Sequence, residues 1–460
     1  MHSRKNNQTL LCSYIRGTKM AEVTLKQMLD AREERVKKQK IILSRYKHPL
    51  VSFTMNIAGP IKTSPLIERS FFEGVKLLKE NLPQDSIVYQ DIDIKSTGCE
   101  AMFSVKYEAS KLKDICSSLE EGITIGRLFD MDVINADGIK LERKNPRNCI
   151  VCGTPGRACA AGRVHPVDEI QTITREIMEN YFFLLDKERV SDLAVKSLLD
   201  EVYATPKPGL VDCRNNGSHT DMDINSFEKS AYVLKPYFGE CFSIGKNTVS
   251  LSPNEAFPLL RNAGILAEKT MYNATGGINT HKGIIYSMGI LCASIGRLWL
   301  PEDPFRCASD ICLESANIVK ESIQKDFEQI DSSTAGGRLY LKYGISGIRG
   351  EAASGFDSVL KIGLPCYKEL RNKNFNSNDA GTITLLYLIS NVKDTNLYHR
   401  GGVKGAEYAV KTTKKLLTDF PEPTKNQIET LDDAFIKQNL SPGGCADLLA
   451  ITYFLYSLES

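Results

Sequence analysis

Residues 207–223 read KPGLVDCRNNGSHTDMD, which puts Asp212, His219, Asp221 and Asp223 within twelve positions. Carboxylates and an imidazole packed this tightly suit ion binding and proton transfer. Asp221 and Asp223, spaced i, i+2 ahead of the helical pattern NSFEKSAYVL, can hold Mg²⁺ on a polyphosphate. His219 or Asp212 can accept a proton, and Lys207 at the head of the stretch adds a cation for substrate or phosphate. The competing reading is a helix start capped by Asp223, or by Asn225 with Glu228 completing a capping box. Capping leaves Asp212, His219 and Asp221 without a reason.

A second carboxylate pair lies in GRLFDMDV, residues 126–133. Side chains alternate along a strand, so Asp130 and Asp132 share one face while Phe129, Met131 and Val133 take the other. With Leu128 and Ile134 beside them they suit a divalent metal holding phosphate oxygens, ahead of the alternative of strand-end turn bonds. YQDIDIK, residues 89–95, has the same spacing, but Asp91, Asp93 and Lys95 alternate with Ile92 and Ile94, which reads as a half-buried strand with a wet face. CIVCGTPGRACAAGRVH brings Cys149, Cys152, Cys159 and His165 into one short segment. That set can ligate Zn²⁺; buried reduced thiols, or a loop using Arg157 and Arg163 to grip phosphate, explain it equally well.

The remaining candidates are cations among glycines. GGINTHKG has Thr280 as an expected N-cap, with His281 and Lys282 at the start of an apolar helix. AGGRLYLKYGISGIRGEA carries Arg338, Lys342 and Arg349; DTNLYHRGG carries His399 and Arg400; SPGGCADLL opens the last helix with Gly443 and Gly444 and places Asp447 in its first turns. Each loop alone is weak, since none is a Walker or dinucleotide motif. Together they predict a polyphosphate pocket assembled from helix ends.

These side chains need scaffolds, and the chain has two textures. Residues 20 to about 175 mix helical patterns (REERVKKQKIILSRY, LIERSFFEGVKLLKENL) with expected strands in LVSFTMNIAG, SIVYQDIDIK, AMFSVKYEA, RLFDMDVIN and GIKLER, an α+β pattern. From about 180 onward helical patterns dominate, at 256–272, 281–298, 305–328 and 445–458, with VDEIQTITREIMENYFFLL expected as a helix across the junction. The reading is therefore multidomain, an α+β domain at 20–178 followed by a mostly α-helical domain at 179–460. Residues 1–19 read as a polar leader.

Of the 460 residues, 42% are hydrophobic and 25% charged, with a net charge of +2, so nothing points to nucleic acid or a membrane surface as a partner. Thirteen cysteines without an export signal indicate a reduced, cytoplasmic protein. The longest apolar run, 283–300, is interrupted by Arg297, Gly and Ser and reads as a buried helix rather than a membrane span.

The motifs VSFTMNIAGPIK, TGCEA, GRLFDMDV and CIVC…CAAGRVH resemble the citrate lyase holo-acyl-carrier-protein synthase family over residues 20–178. TPKPGLVDCRNNGSHTDMD, GGINTHKG, TAGGRLYLKYGISGIRGEA, DTNLYHRGG and NLSPGGCADLLA resemble triphosphoribosyl-dephospho-CoA synthase over 180–460. The resemblance implies a nucleotidyltransferase-like first domain and a fused bifunctional transferase. ATP and 3′-dephospho-CoA would give 2′-(5″-triphosphoribosyl)-3′-dephospho-CoA and adenine. The first half would then pass the phosphoribosyl-dephospho-CoA group to a serine of the lyase's acyl carrier (gamma) subunit, releasing pyrophosphate. Mg²⁺ would serve both steps, held by Asp130 and Asp132 in the first and by Asp221 and Asp223 in the second. Lys282, Arg338 and Arg349 would clamp the triphosphate. His281 would assist departure of adenine. Two other readings remain: a Mg²⁺-dependent helical ADP-ribose hydrolase, which explains only the second half, and a non-catalytic assembly factor.

Overall fold

A computed structural model describes residues 21–328 and 335–459; the expected leader and Met20 lie outside them. The chain divides between Leu184 and Leu185 into two compact units.

The first unit runs α1 (Leu25–Tyr46), β1 (Leu50–Met55), α2 (Pro65–Asn81), β2 (Ile87–Lys95), β3 (Gly98–Val105), α3 (Ala109–Gly122), β4 (Phe129–Ile134) and α4 (Gly156–Ala161), and shares α5 (Val167–Tyr203) with the second. Both long N-terminal helices start where the sequence supplies a cap. Thr24 and Gln27 form a capping box for α1, and Ser64 with Pro65 at the first helical position starts α2. The four strands form one antiparallel sheet in the order β2-β3-β1-β4. One face, carrying Phe53, Phe103, Phe129 and Met131, is fully buried and packs against α2 and α3. The other face holds Leu50, Met102 and Ile134 beneath Ile42 and Leu43 of α1.

Two expected strand features differ. GIKLER forms no strand; it runs past the outer edge of β4 through the Ile134–Lys140 bridge and the bond from Leu141 N–H to Val133 C=O. In β2 the aspartates are the more covered residues, while Ile92 and Ile94 are exposed. The reason is α1, whose cations meet that face: Lys38 pairs with Asp91, and Arg35 with Glu100 at 2.5 Å. The edge strand is thus half-buried by charge pairing at its aspartates and by Tyr89 stacked on Tyr46 of α1.

The second unit continues from α5 through α6 (Ile224–Val233), α7 (Lys235–Asn247), α8 (Pro253–Ala274), α9 (Lys282–Leu298), α10 (Ala308–Glu328), α11 (Ala335–Tyr343), α12 (Gly347–Ala353), α13 (Leu364–Asn372), α14 (Ser377–Asn391), α15 (Thr395–Asp419), α16 (Lys425–Lys437) and α17 (Gly443–Glu459). The apolar run at 283–300 is α9, buried from Ile284 to Gly296 except around Tyr286, against α7, α8 and α10. A helix apolar on all sides belongs in a core. α17 is similar and packs on α14. Among the described residues no helix is long and apolar enough to cross a membrane. Each unit contains a large cavity, and most of the residues expected to do chemistry line one or the other.

Candidate active sites

In the first unit a cavity of about 1110 Å³ opens beside β4, lined by Asp130, Asp132, Lys113, Arg127, Lys140, Arg143 and Arg147. The alternation of β4 puts both aspartates half-buried on one face, opposite Thr54 and Ser52 of β1. Each already has a cation: Arg143 at 3.2 Å from Asp130, and Lys140 at 2.6 Å from Asp132. A pair of accessible carboxylates facing a cation-lined cavity fits Mg²⁺ that keeps water and phosphate oxygens as its other ligands.

The residue that organises this wall went unnoticed in the sequence. Glu120, fully buried on α3, accepts from Met131 N–H at 2.7 Å and from Arg143 at 2.6 Å, and lies 3.0 Å from Arg147. Burial pushes its proton affinity up, against the pull of Arg147 and Arg143. Of the two glutamates in SSLEEG neither carries a local sign of this, because the arginine partners of Glu120 are 23 and 27 residues further on.

Behind the arginines lie Cys149, Cys152, Cys159 and His165, whose ligand atoms all fall within 4.8 Å of one another. Thr154 and His165 lower the Cys152 thiol to about 6, whereas burial raises Cys159 to about 12.

In the second unit a cavity of about 710 Å³ collects Lys207, His219, His281, Lys282, His399, Arg400, Gly443 and Gly444 from segments far apart in sequence. Lys207 is buried and spent on Glu201, with Nζ 2.5 Å from the carboxylate and 2.7 Å from its C=O. His219 Nε2 lies 2.9 Å from Ser441 Oγ, and burial, aided by Arg400, lowers its proton affinity. His281 is buried, its Nδ1 2.6 Å from Ser230 Oγ and its Nε2 without a hydrogen-bond partner. Burial, with Lys207 nearby, drops it to about 3, so it is a neutral imidazole at physiological pH. It is also the residue that starts α9; the expected cap, Thr280, makes no cap bond, and its hydroxyl is buried unpaired.

Several expected residues stand elsewhere. Asp223 caps α6, accepting from Ser226 N–H at 2.9 Å, while Asp221 is exposed 4.0 Å from His219; neither lines the cavity. The capping alternative therefore describes Asp223, with Ser226 completing the box in place of Asn225 and Glu228. Asp212 is buried and accepts from the backbone N–H groups of Lys207, Arg214 and Asn215, so it shapes the loop rather than facing the cavity. Arg338, Lys342 and Arg349 are exposed and do not line it; the loop Gly344 to Ser346 between α11 and α12, with Gly347 and Ile348 at the start of α12, does. The N-terminus of α17 is not an open anion site, because Asp394 Oδ2 accepts from Cys445 N–H at 2.8 Å.

The cavity's carboxylates are instead Glu201, Glu351, Asp394 and Asp447. Asp394 Oδ1 also caps α15 through Asn396 and Leu397 N–H. Asp447 differs from the rest: among the described residues its carboxylate has no hydrogen-bond partner, and it packs so closely on Gly283 that a Cβ there would approach within 2.0 Å. Burial first, then the charges of Glu201 and Asp394, raise its proton affinity well above the ordinary carboxylate range. Burial thus shifts His219 and Asp447, which line one cavity, in opposite directions, down for the imidazole and up for the half-buried carboxyl.

Comparison with known proteins divides the chain in the same way. Residues 23–181 match the family described as apo-citrate lyase phosphoribosyl-dephospho-CoA transferase, CitX. Residues 187–460 match ATP:dephospho-CoA triphosphoribosyl transferase, CitG. Protein CitXG of Haemophilus influenzae is 37% identical over 461 residues, covering 96% of this chain and 98% of the relative. Protein CitXG of Leuconostoc mesenteroides subsp. cremoris is 32% identical over 469 residues, covering 95% and 97%. The 2-(5''-triphosphoribosyl)-3'-dephosphocoenzyme-A synthase of Klebsiella pneumoniae is 39% identical over 280 residues, covering 59% of this chain and 91% of that one.

Proposed function

Because the chain belongs to the family of fused CitXG proteins, we propose that it both makes and attaches the citrate lyase prosthetic group, one reaction in each unit. In the second unit the 2′-hydroxyl of 3′-dephospho-CoA attacks C1 of the ATP ribose and adenine departs, leaving 2′-(5″-triphosphoribosyl)-3′-dephospho-CoA. Displacement at a ribose carbon passes through an oxocarbenium-like state and needs a base on the nucleophile and an acid on the leaving nitrogen. His219 takes the hydroxyl proton at Nε2, and Asp447 delivers one to the departing adenine. His281, a neutral imidazole with one ring N–H, orients a polar group through the unpartnered Nε2 and is not the proton donor for the leaving group. We assign Lys282, His399 and Arg400, which line the same cavity, to the triphosphate.

In the first unit the carrier subunit's serine hydroxyl attacks the phosphorus nearest the ribose, and pyrophosphate leaves. Asp130 and Asp132 are the residues that would hold Mg²⁺, which supplies charge neutralisation on the leaving pyrophosphate as in nucleotidyltransferase-like sites. Arg143 and Arg147 add fixed positive charge to the same wall. We assign the chain to the cytoplasm, in keeping with its free thiols. We put the boundary between the two functions near 178/179, inside α5 and a few residues before the division at Leu184/Leu185.

The observation that carries the reading is that His219 and Asp447 line one cavity within the residues that match the ATP:dephospho-CoA triphosphoribosyl transferase family. The test is mass spectrometry of ATP and dephospho-CoA incubated with the full chain and Mg²⁺, then with the acyl carrier subunit. Free adenine and a triphosphoribosyl adduct should form, and the carrier should gain the phosphoribosyl-dephospho-CoA mass. Asp447→Asn should abolish the first product, and Asp130→Asn only the second. Adenine release with water as acceptor would replace this reading with a hydrolase.

A further inference from the structure

Residues 142–166, which wall the first cavity, have almost no core. Cys159 is the single buried residue among them, and their regular structure is limited to the short α4. Twenty-five residues cannot be ordered by one buried side chain, since fixing each backbone costs about 1–2 kcal/mol. Something other than apolar burial has to hold this segment, and the cysteines in it are not disulfide-bonded.

The Cys/His cluster has the geometry for that task. Sγ of Cys159 is 3.5 Å from Sγ of Cys149 and 4.0 Å from Sγ of Cys152. Tetrahedral Zn²⁺, with bonds of about 2.3 Å to sulfur, sets such separations near about 3.8 Å. Cys149 and Cys152 lie on a tight knuckle, closed by Cys149 N–H to Thr154 C=O at 2.7 Å and Gly153 N–H to Cys149 C=O at 3.1 Å. Gly153 takes φ +73° there, a conformation that favours glycine. Val151 N–H points at Cys149 Sγ at 3.4 Å, and the Thr154 hydroxyl lies 3.0 Å from Cys152 Sγ; such donors stabilise thiolates.

His165 supplies an independent observation. Its Nδ1 lies 3.0 Å from the Glu169 carboxylate, which makes Nδ1 the protonated nitrogen and leaves a lone pair on Nε2. Nε2 is buried and has no hydrogen-bond partner. A carboxylate–imidazole pair with the other nitrogen aimed into a sulfur cluster is the outer-shell arrangement of zinc ligands. Buried thiols alone would need neither the relay nor the unpaired nitrogen.

We propose that Cys149, Cys152, Cys159 and His165 bind one Zn²⁺, and that this ion clasps the segment carrying Arg143, Arg147, Arg157 and Arg163 onto the cavity wall. The zinc assignment is independent of the reaction assigned to the unit. Binding displaces the thiol protons to solvent, and no redox change is involved.

The test uses the full chain purified under reducing conditions without chelator. Elemental analysis should find about one zinc per chain, and Co²⁺ exchanged into the protein should show tetrahedral ligand-field bands with thiolate charge transfer. Cys159→Ser and His165→Ala should each lose the metal. A Cys213→Ser/Cys307→Ser variant, which removes exposed thiols of the second unit, should keep it. Removing zinc should speed trypsin cleavage after Arg157 and Arg163 by at least about tenfold, since local opening sets the rate. Adenine release by the second unit should persist, showing that the chain remains folded. Absence of zinc after Zn²⁺ supplementation, iron in its place, a disulfide among the three cysteines, or loss of zinc in the Cys213/Cys307 variant would each overturn the site. Bound zinc with unchanged cleavage would overturn the clasp.

Discussion

His281 should stay neutral far below the pH at which a histidine ordinarily takes up a proton. Its fall from 6.5 to about 3 corresponds to about 5 kcal/mol of disfavour for the imidazolium, at about 1.36 kcal/mol per unit. At pH 5 an ordinary histidine is protonated in about 97% of molecules; His281 should be so in about 1%. The stability consequence has a definite sign. Above pH 6.5 the folded and unfolded chains are both neutral at this group. Below 6.5 the unfolded chain binds a proton that the folded one refuses until about 3, so stability falls with falling pH in that window. By pH 5 the loss from this residue is about 2 kcal/mol. The direct assay is ¹⁵N-histidine NMR, tractable because the sequence has six histidines, with His281→Gln identifying the resonance pair. The tautomeric shifts of His281 should hold steady from pH 7.5 to 5. A midpoint between 6 and 7 would mean water reaches Nε2, and the neutral role argued for this residue would fail.

Glu120→Gln removes the fully buried carboxylate shared by Arg143 and Arg147, leaving Asp130 as the carboxylate near them, and breaking a buried pair on one side costs about 3–5 kcal/mol. Urea unfolding of that unit should shift by this amount and carrier modification should fall, with adenine release intact; a shift under about 1 kcal/mol would show that solvent compensates the arginines. Asp223→Ala should cost about 1 kcal/mol through loss of the α6 cap and leave adenine release and its Mg²⁺ dependence within about threefold. A hundredfold loss of turnover would return Asp223 to the reaction.

How far these sites were legible depended on how local their cause was. The face shared by Asp130 and Asp132 follows from strand alternation within one element, and the burial of α9 from an apolar run of helical length. His219, His281, Lys282, His399 and Arg400 stood out because polar residues next to glycines at helix starts are unusual, and all line one cavity. Asp447 stood out only by its place in the first turns of the last helix, and Glu120, Glu201 and Asp394 did not stand out. Glu120 and Glu201 each sit beside a second carboxylate, Glu121 and Asp200, and Asp394 lies just ahead of a helix; what these three do is set by partners that the tertiary fold supplies. The same limit explains the opposite error. Spacing before a helix fits both a metal pair and a cap, and Ser226, three residues beyond Asp223, determines which one forms. Arg338, Lys342 and Arg349 share a motif with cavity-lining glycines, yet helical geometry turns them outward while the loop between faces in.

Asp394 joins two helix beginnings with a single carboxylate, Oδ1 serving α15 and Oδ2 serving α17. The segments it fastens, around 391–396 and 441–445, are neighbouring parts of the same cavity lining. Their relative position is therefore set when the chain folds, and the ordering entropy of two loops is already lost before any nucleotide arrives. A ligand entering this rim meets a rigid mouth and can direct more of its interaction energy into affinity. Freeing either helix start would be felt first as slower capture and faster escape of substrate, in a protein that still folds.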